Sequence, residues 1–193
     1  MMFTIRSGSM TAVIDSVGAQ LMSLQSVDGT QYLWQGDPKY WPDRSLTIFP
    51  YVARLTDGCY RYRGELYHMP IHGFAPTAEF SAAEQTDAAI TFVLESCPAF
   101  YEQYPFLFRY SIRYRLENAT RHVEITVENK DEKTMHFGLG GHPGINVPLE
   151  EGLRFEDYVI EVPPCQPRRM EFTPACFITG RELPFPMECN QLP

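Results

Sequence analysis

The feature that most constrains this chain is a strict alternation of side chains in the segment FLFRYSIRYRLEN. The large apolar residues all fall on one parity: Phe106, Phe108, Tyr110, Ile112, Tyr114 and Leu116. Polar residues hold the other parity: Arg109, Ser111, Arg113 and Arg115. Because successive side chains of a β-strand point to opposite faces, this period of two predicts a strand with one face buried.

The segment HVEITVEN repeats the pattern directly afterwards. Val123, Ile125 and Val127 share one face, and His122 lies with the glutamates on the other. Asn118, Ala119 and Thr120 separate the two segments and are typical of a turn. The two segments therefore predict an antiparallel hairpin, with His122 on its solvated face.

Most of the remaining chain also indicates strands. Short segments rich in β-branched and aromatic residues are bounded by Gly, Pro, Asp and Ser: MFTIRS, MTAVIDS, GAQLMSLQSV, QYLWQ, CYRYRGELYHM and AITFVLES. The single helical candidate lies near PAFYEQYPF. Many closely spaced strands without helices between them predict an all-β sandwich or barrel, which we expect to form one domain over residues 1–193.

Composition narrows the class of ligand. The chain carries a formal net charge of −8, which argues against nucleic acid because that binding depends on Lys and Arg neutralising phosphates. A small neutral ligand fits better. No apolar run is long enough to span a bilayer, and the N-terminus MMFTIRSGSM lacks the apolar stretch of a secretory signal. We therefore expect a cytoplasmic protein without a membrane partner.

Two glycine-rich segments interrupt the alternation and carry the candidate site residues. His142 stands in GGHPG, where glycine admits close backbone approach and proline restricts the chain, so a rigid imidazole there would suit general acid catalysis. His72 stands in IHGF, where a strand is expected to turn into a loop. Taken alone, either histidine is more typical of a buried structural role, hydrogen bonded to a backbone carbonyl.

Arg54 lies in the otherwise apolar segment FPYVARL. An arginine in such surroundings needs a partner, and its planar fork suits hydroxyl or carboxylate recognition. A structural ion pair is the alternative. Trp34, Trp41, Tyr104 and Phe74 are candidates for a sugar-stacking face or, alternatively, for the core.

Metal binding is the competing use of the histidines. His68 and His72 are four positions apart, but Pro70 between them excludes the helix that would bring them onto one face. The cysteines are odd in number and scattered, at positions 59, 97, 165, 176 and 189, with no CxxC pair. We expect mostly reduced structural thiols, and the composition favours neither a metal nor a redox centre.

The ordered motifs resemble those of the aldose 1-epimerases, in particular bacterial proteins related to the mutarotase-like product of the lactose operon. The specific part is FPxxxRLxxGxYxxxGxxYxxPxHGF followed by GxHPG, in a chain that is similar to the family over nearly its whole length. The resemblance implies a large antiparallel β-sandwich of the galactose mutarotase type. It also implies interconversion of the α and β anomers of a free aldose without a cofactor.

The resemblance assigns roles to three residues. In the family a glutamate removes the proton of the anomeric hydroxyl while a histidine protonates the ring oxygen. His142 matches that acid, His72 matches the second histidine, which binds and polarises the sugar, and Arg54 matches the arginine that holds sugar hydroxyls. The family implies no metal site.

Two departures qualify these roles. The family's arginine after HGF is missing in HGFAPTAEF, which makes a phosphorylated substrate less suitable. Family members also continue past Gln191, Leu192 and Pro193, and their base glutamate lies in that further part. None of the glutamates near the end of this chain matches the base motif: Glu171, Glu182 and Glu188.

The sequence thus predicts the N-terminal two-thirds of the sandwich, with an open sheet edge that another copy could cover. We expect catalysis by this chain alone to be impaired. A sugar-binding module of the same fold and a cupin-like metal protein are the alternatives.

Overall fold

The computed structural model describes residues 1–165, 168–175, 177–185 and 191–192. The chain divides into two compact units, Met1–Ile145 and Asn146–Pro193. That residues 1–193 form one domain stays a prediction. The all-β prediction is confirmed, since strands dominate and the longest α-helix among the described residues, α1, covers only Pro98–Tyr101 within the predicted helical segment.

The first unit contains eleven strands: β1 Met2–Arg6, β2 Met10–Asp15, β3 Leu21–Ser26, β4 Ser45–Ile48, β5 Cys59–Tyr62, β6 Glu65–His68, β7 Ser81–Gln85, β8 Ala89–Glu95, β9 Phe108–Glu117, β10 Thr120–Asn129 and β11 Gly140–Pro143. Short 3-10 turns cover Thr56–Gly58 and Ala75–Thr77. The strands form a three-stranded sheet in the order β1-β2-β3, a four-stranded sheet in the order β10-β9-β8-β7, and the antiparallel pairs β11-β4 and β5-β6.

The alternating segment is the centre of the larger sheet. Its β9 pairs antiparallel with β10 along its whole length and with β8 on the other side. Burial alternates along β9, with every predicted apolar position buried. The predicted hairpin is therefore confirmed, and Asn118 in its turn has the positive φ of 52° that such a turn favours.

The two larger sheets pack against each other around a single apolar core. Phe3 of β1 meets Phe92 of β8 edge to face, with ring centroids 5.3 Å apart. Phe49, at the end of β4, is fully buried and stacks on Tyr110 with ring centroids 4.5 Å apart. This ring cluster secures the segment after Phe49, which carries Arg54.

One predicted strand is absent. In the segment QYLWQ only Gln31 and Leu33 form isolated bridges, with Gln25 and Ile145. The chain turns away directly afterwards at Gly36, whose φ is +73°. The segment therefore leaves the sheet and becomes a loop that holds Trp34.

The second unit contains four short strands and one 3-10 turn, Phe155–Asp157. Its strands are β12 Ile160–Glu161, β13 Arg169–Phe172, β14 Ile178–Leu183 and β15 Gln191–Leu192, paired antiparallel as β12-β15 and β13-β14. Ion pairs link the two sides of the β13-β14 hairpin: Glu171 contacts Arg181, and Glu182 contacts Arg168. Within the described part of the chain the helices are too short or too polar to cross a lipid bilayer.

Two buried tyrosines of β9 provide a matched test of the core. The Tyr114 hydroxyl donates a hydrogen bond of 2.9 Å to the carbonyl of Ala19 across the sandwich. We expect Tyr114→Phe to lower the free energy of unfolding by about 1–2 kcal/mol, because the buried carbonyl loses its donor. Urea denaturation monitored by circular dichroism measures the change.

Tyr110→Phe is the control. The Tyr110 hydroxyl is buried and has no hydrogen-bond partner among the described residues. Its removal is expected to leave the free energy of unfolding within about 0.5 kcal/mol of the parent or to raise it, because an unpaired buried hydroxyl is costly. Equal losses in the two variants would contradict this assignment of hydrogen bonds.

Candidate functional site

His72 is held by the backbone of a neighbouring loop. Its backbone N–H donates to the carbonyl of Ala53 at 3.0 Å, and the N–H of Ala53 donates to Nδ1 of the imidazole at 3.2 Å. Since Nδ1 accepts a hydrogen bond, the proton of the neutral ring lies on Nε2. The His72 side chain is half-buried, and Nε2 is left as its donor atom.

The backbone at His72 has an unusual conformation. Its φ is +65°, in the left-handed region that non-glycine residues rarely adopt. Gly73 follows with a φ of +77° and forms a parallel bridge with Phe49. The two residues with positive φ place His72 beside the end of β4, next to the buried Phe49.

His142 reaches the same place from β11. This strand pairs with β4 so that His142 stands opposite Leu46. The imidazole centroids of His142 and His72 are 5.7 Å apart, and the two rings are tilted by 56°. His142 is exposed to solvent. The structure thus brings together two histidines that are far apart in the sequence, on an accessible face.

The surroundings of His72 favour its neutral form. Burial, and after it the positive charge of a protonated His142, lower the pKa of His72 from its ordinary value. The unfolded chain takes up this proton near pH 6.5, whereas the folded chain does so only at lower pH. Stability is therefore expected to fall as the pH drops from about 6.5 through the folded pKa.

Replacing His142 with asparagine is expected to raise the pKa of His72 toward its ordinary value. The substitution removes the neighbouring positive charge but leaves the burial of His72 in place, so the rise is partial. A pH titration of the imidazole signals by ¹H–¹⁵N NMR measures it. His122→Asn is the control, because His122 lies 3.5 Å from Glu117 on the β9-β10 hairpin. An unchanged titration of His72 in His142→Asn would contradict the pairing of the two rings.

Arg54 directly follows the residue that holds His72. Its side chain is exposed, and among the described residues it pairs with no carboxylate. The alternative of a structural ion pair therefore has no support in the described part of the chain. The guanidinium is available to a ligand.

The four candidate stacking aromatics separate into two groups. Phe74 and Tyr104 are buried in the core, where both contact Phe49. Trp41 instead lies against His142, with ring centroids 5.0 Å apart, and Trp34 supports it through a hydrogen bond of 2.8 Å from its indole N–H to the Trp41 carbonyl. Of these four aromatic residues, Trp41 is thus the one whose ring contacts the histidine pair.

The other candidate ligands lie elsewhere. His68 and His136 are exposed, and the described residues contain no group of three or more His, Cys, Asp or Glu side chains placed to hold a metal ion. Cys59 is a half-buried free thiol, and Cys97 and Cys165 are exposed rather than buried. Cys176, Cys189 and Glu188 lie outside the described residues.

A cavity of about 530 Å³, which the sequence did not indicate, opens beside the segment that precedes Ala53 and is lined in part by Pro50 and Val52. Aromatic and apolar residues dominate its wall, among them Tyr60, Tyr62, Phe106 and Phe137. Neither His72 nor His142 lines it. The two histidines of the candidate site therefore lie outside this cavity.

Comparison with known proteins decides the family. The sequence profile of the aldose 1-epimerase family matches residues 1–179. The chain belongs to the aldose 1-epimerase family. The resemblance predicted from the ordered motifs is confirmed.

Two bacterial proteins are among the relatives of this aldose 1-epimerase family member. The plasmid-encoded protein LacX of Lactococcus lactis is 31% identical over 169 residues, which are 83% of this chain and 56% of LacX. The uncharacterized protein YihR of Escherichia coli K12 is 27% identical over 172 residues, 83% of this chain and 54% of YihR. The chain thus spans little more than half the length of these relatives.

Solved structures show the same fold. A galactose mutarotase related enzyme from Lactobacillus acidophilus is 34% identical with a TM-score of 0.87, covering 93% of this chain and 60% of its own. A galactose mutarotase-like protein from Lactobacillus casei is 31% identical with a TM-score of 0.90, covering 100% of this chain and 67% of its own. These likenesses confirm the predicted β-sandwich of the galactose mutarotase type.

Proposed function

We propose that the protein interconverts the α and β anomers of a free aldose, with His142 and His72 in the sugar pocket. The observation that carries the proposal is the 5.7 Å approach of the two imidazole rings on an accessible face. In a pyranose the ring oxygen and the anomeric hydroxyl are both bonded to C1. Two neighbouring imidazoles suit these two oxygens, and neither needs a cofactor to hold a proton at neutral pH.

His142 is the proposed acid. The anomeric hydroxyl loses its proton to a base, the bond between C1 and the ring oxygen breaks, and the ring oxygen takes a proton from His142. C1 is then an open-chain aldehyde. Rotation about the C1–C2 bond and the reverse proton transfers close the ring on the other face, so that no atom is gained or lost.

His72 and Arg54 are the proposed binding residues. The Nε2–H of His72 is set as a donor by the hydrogen bond from Ala53 to Nδ1, and it would polarise a sugar oxygen. The lowered pKa of His72 supports this role, because a neutral ring stays in the donor tautomer. The exposed guanidinium of Arg54 would hold neighbouring hydroxyls through its planar fork.

A sugar-binding protein of the same fold is the second candidate. The observation that favours it is the absence of a carboxylate within 4.0 Å of the ring nitrogens of His72 or His142 among the described residues. The described glutamates near the end of the chain, Glu171 and Glu182, instead pair with arginines of the second unit. The identity of the base is thus the point on which the two candidates differ.

Magnetisation-exchange NMR on glucose and galactose separates the two candidates. An epimerase accelerates exchange between the α and β anomeric proton signals above the rate in buffer. A binding protein broadens or shifts the sugar signals without faster exchange. If neither effect occurs, both proposals are wrong.

Phosphorylated sugars provide the specificity arm of the same experiment. We propose a free aldose because HGFAPTAEF carries no arginine after the histidine motif. Glucose 6-phosphate is then a weaker substrate or ligand than glucose, and the reverse preference would contradict the proposal. The cytoplasmic location and the covering of a sheet edge by another copy stay predictions.

A further inference from the structure

The ring of Trp41 lies against the imidazole of His142. The imidazole of His142 is exposed and makes no hydrogen bond or ion pair within the described residues. Its ring contacts among the described residues are with Trp41, at a centroid distance of 5.0 Å, and with His72. An imidazole without hydrogen bonds is oriented by packing alone, because χ1 and χ2 otherwise sample several rotamers.

Trp41 is itself held firmly. Its backbone N–H donates to the carbonyl of Asp37 at 2.9 Å, and its carbonyl accepts the indole N–H of Trp34 at 2.8 Å. The backbone N–H and C=O of Trp41 are thus both hydrogen bonded within one loop. The backbone from which the Trp41 ring projects is therefore held in place.

The same loop is joined to the strand that carries His142. The N–H of Trp34 donates to the carbonyl of Gly144 at 2.9 Å. A Cβ added to Gly144 would lie 2.7 Å from the Cβ of Trp34 and 3.1 Å from Cζ3 of Trp41, so the glycine permits this close approach. The tryptophan loop and the GGHPG segment form one packed element.

We propose that Trp41 is a positioning residue, which holds the imidazole of His142 next to His72 in the orientation needed to reach the ring oxygen of a sugar. The inference deepens the proposed function and rests on it for its kinetic consequence. Its geometric content, the pairing of the two imidazoles, is measurable without catalysis.

Trp41→Ala and Trp41→Phe form the informative pair of variants. Alanine removes the packing surface, whereas phenylalanine keeps an aromatic face. Tyr40→Ala is the loop control, because Tyr40 is 71% exposed and contacts neither histidine ring. Misplacing a catalytic group by about 1 Å costs up to about 100-fold in rate. We expect Trp41→Ala to lower kcat by about 10- to 100-fold with KM changed less than about threefold.

Trp41→Phe is expected to recover most of kcat, and Tyr40→Ala to leave it unchanged. A tryptophan with a merely structural role would lower the folded fraction without this division between kcat and KM. Parent-level kcat in Trp41→Ala, in a protein that catalyses exchange, would overturn the inference.

An NMR readout keeps the inference separate from the proposed function. Cross-relaxation between the imidazole protons of His72 and His142 is expected in the parent and in Trp41→Phe, and is expected to be lost in Trp41→Ala. In Trp41→Ala the titration of His72 also moves toward higher pH, because His142 no longer stays beside it. If the parent fails to accelerate anomer exchange, the proposed function is wrong. If Trp41→Ala keeps the cross-relaxation between the two imidazoles and the parent titration of His72, the positioning inference is wrong.

Discussion

Replacing His142 with asparagine is expected to slow enzyme-catalysed anomer exchange by about 10²–10⁴-fold, which is the usual contribution of a positioned general acid. Asparagine keeps a hydrogen-bond donor of similar reach but cannot transfer its proton. Binding of the sugar is expected to change much less, because Arg54 and His72 remain. Magnetisation-exchange NMR at several sugar concentrations measures kcat and KM separately.

His122→Asn is the matched control for this loss. His122 lies on the β9-β10 hairpin beside Glu117, so its removal alters the number of imidazoles without altering the site. Parent-like kcat in His142→Asn would show that another group protonates the ring oxygen. If the parent chain exchanges anomers no faster than buffer, the sugar-binding candidate stands, and the variant is judged by its affinity for glucose.

Replacing Gly73 with alanine is expected to have the largest effect on folding near the site. The added Cβ would lie 2.2 Å from the carbonyl oxygen of Phe49 and 2.7 Å from Cδ of Pro50. Phe49 is fully buried and its backbone cannot retreat without moving the aromatic core. The clash adds to the strain of a φ of +77°, so we expect a loss of about 3 kcal/mol or more in the free energy of unfolding.

Gly64→Ala is the control that measures the cost of backbone strain without a steric clash of the added Cβ. Gly64 has a φ of +92°, and an added Cβ there meets nothing within 4 Å. Its substitution is expected to cost about 1–2 kcal/mol, from backbone strain alone. Urea denaturation of both variants gives the difference, and His72 imidazole signals report whether the loop has moved. Equal losses would show that the contact between Gly73 and Phe49 does not restrict the chain.

The larger sheet could be predicted because its information is local. On β9 the apolar residues recur at every second position over ten residues, and burial of one face decides which parity points inward. Side chains such as Phe108 and Ile112 are buried in the interior whichever residues pack against them. The segment QYLWQ was too short for this rule, and the turn at Gly36 took it out of the sheet.

The geometry of the candidate site could not be predicted in the same way. Motif order directed attention to His72, His142 and Arg54, but it carried no distances. The left-handed backbone of His72 could not be expected of a non-glycine residue, and it exists because Gly73 packs against Phe49. The N–H of Ala53 donates to Nδ1 of this residue, and that contact leaves Nε2 as the donor atom of the ring.

The sequence by itself thus determined that this chain forms strands, which faces of them are buried and which family it resembles, because those properties follow from a periodicity of two and from ordered motifs. Only the tertiary structure decided that His142 meets His72 and Trp41, that Phe74 and Tyr104 belong to the core, and that Arg54 is exposed and pairs with no carboxylate among the described residues. These are contacts between segments distant in the chain, and they depend on the pairing of β4 with β11 and on the close approach of backbone at Gly73 and Gly144. A linear pattern does not encode such distances, because each is the outcome of packing the whole first unit.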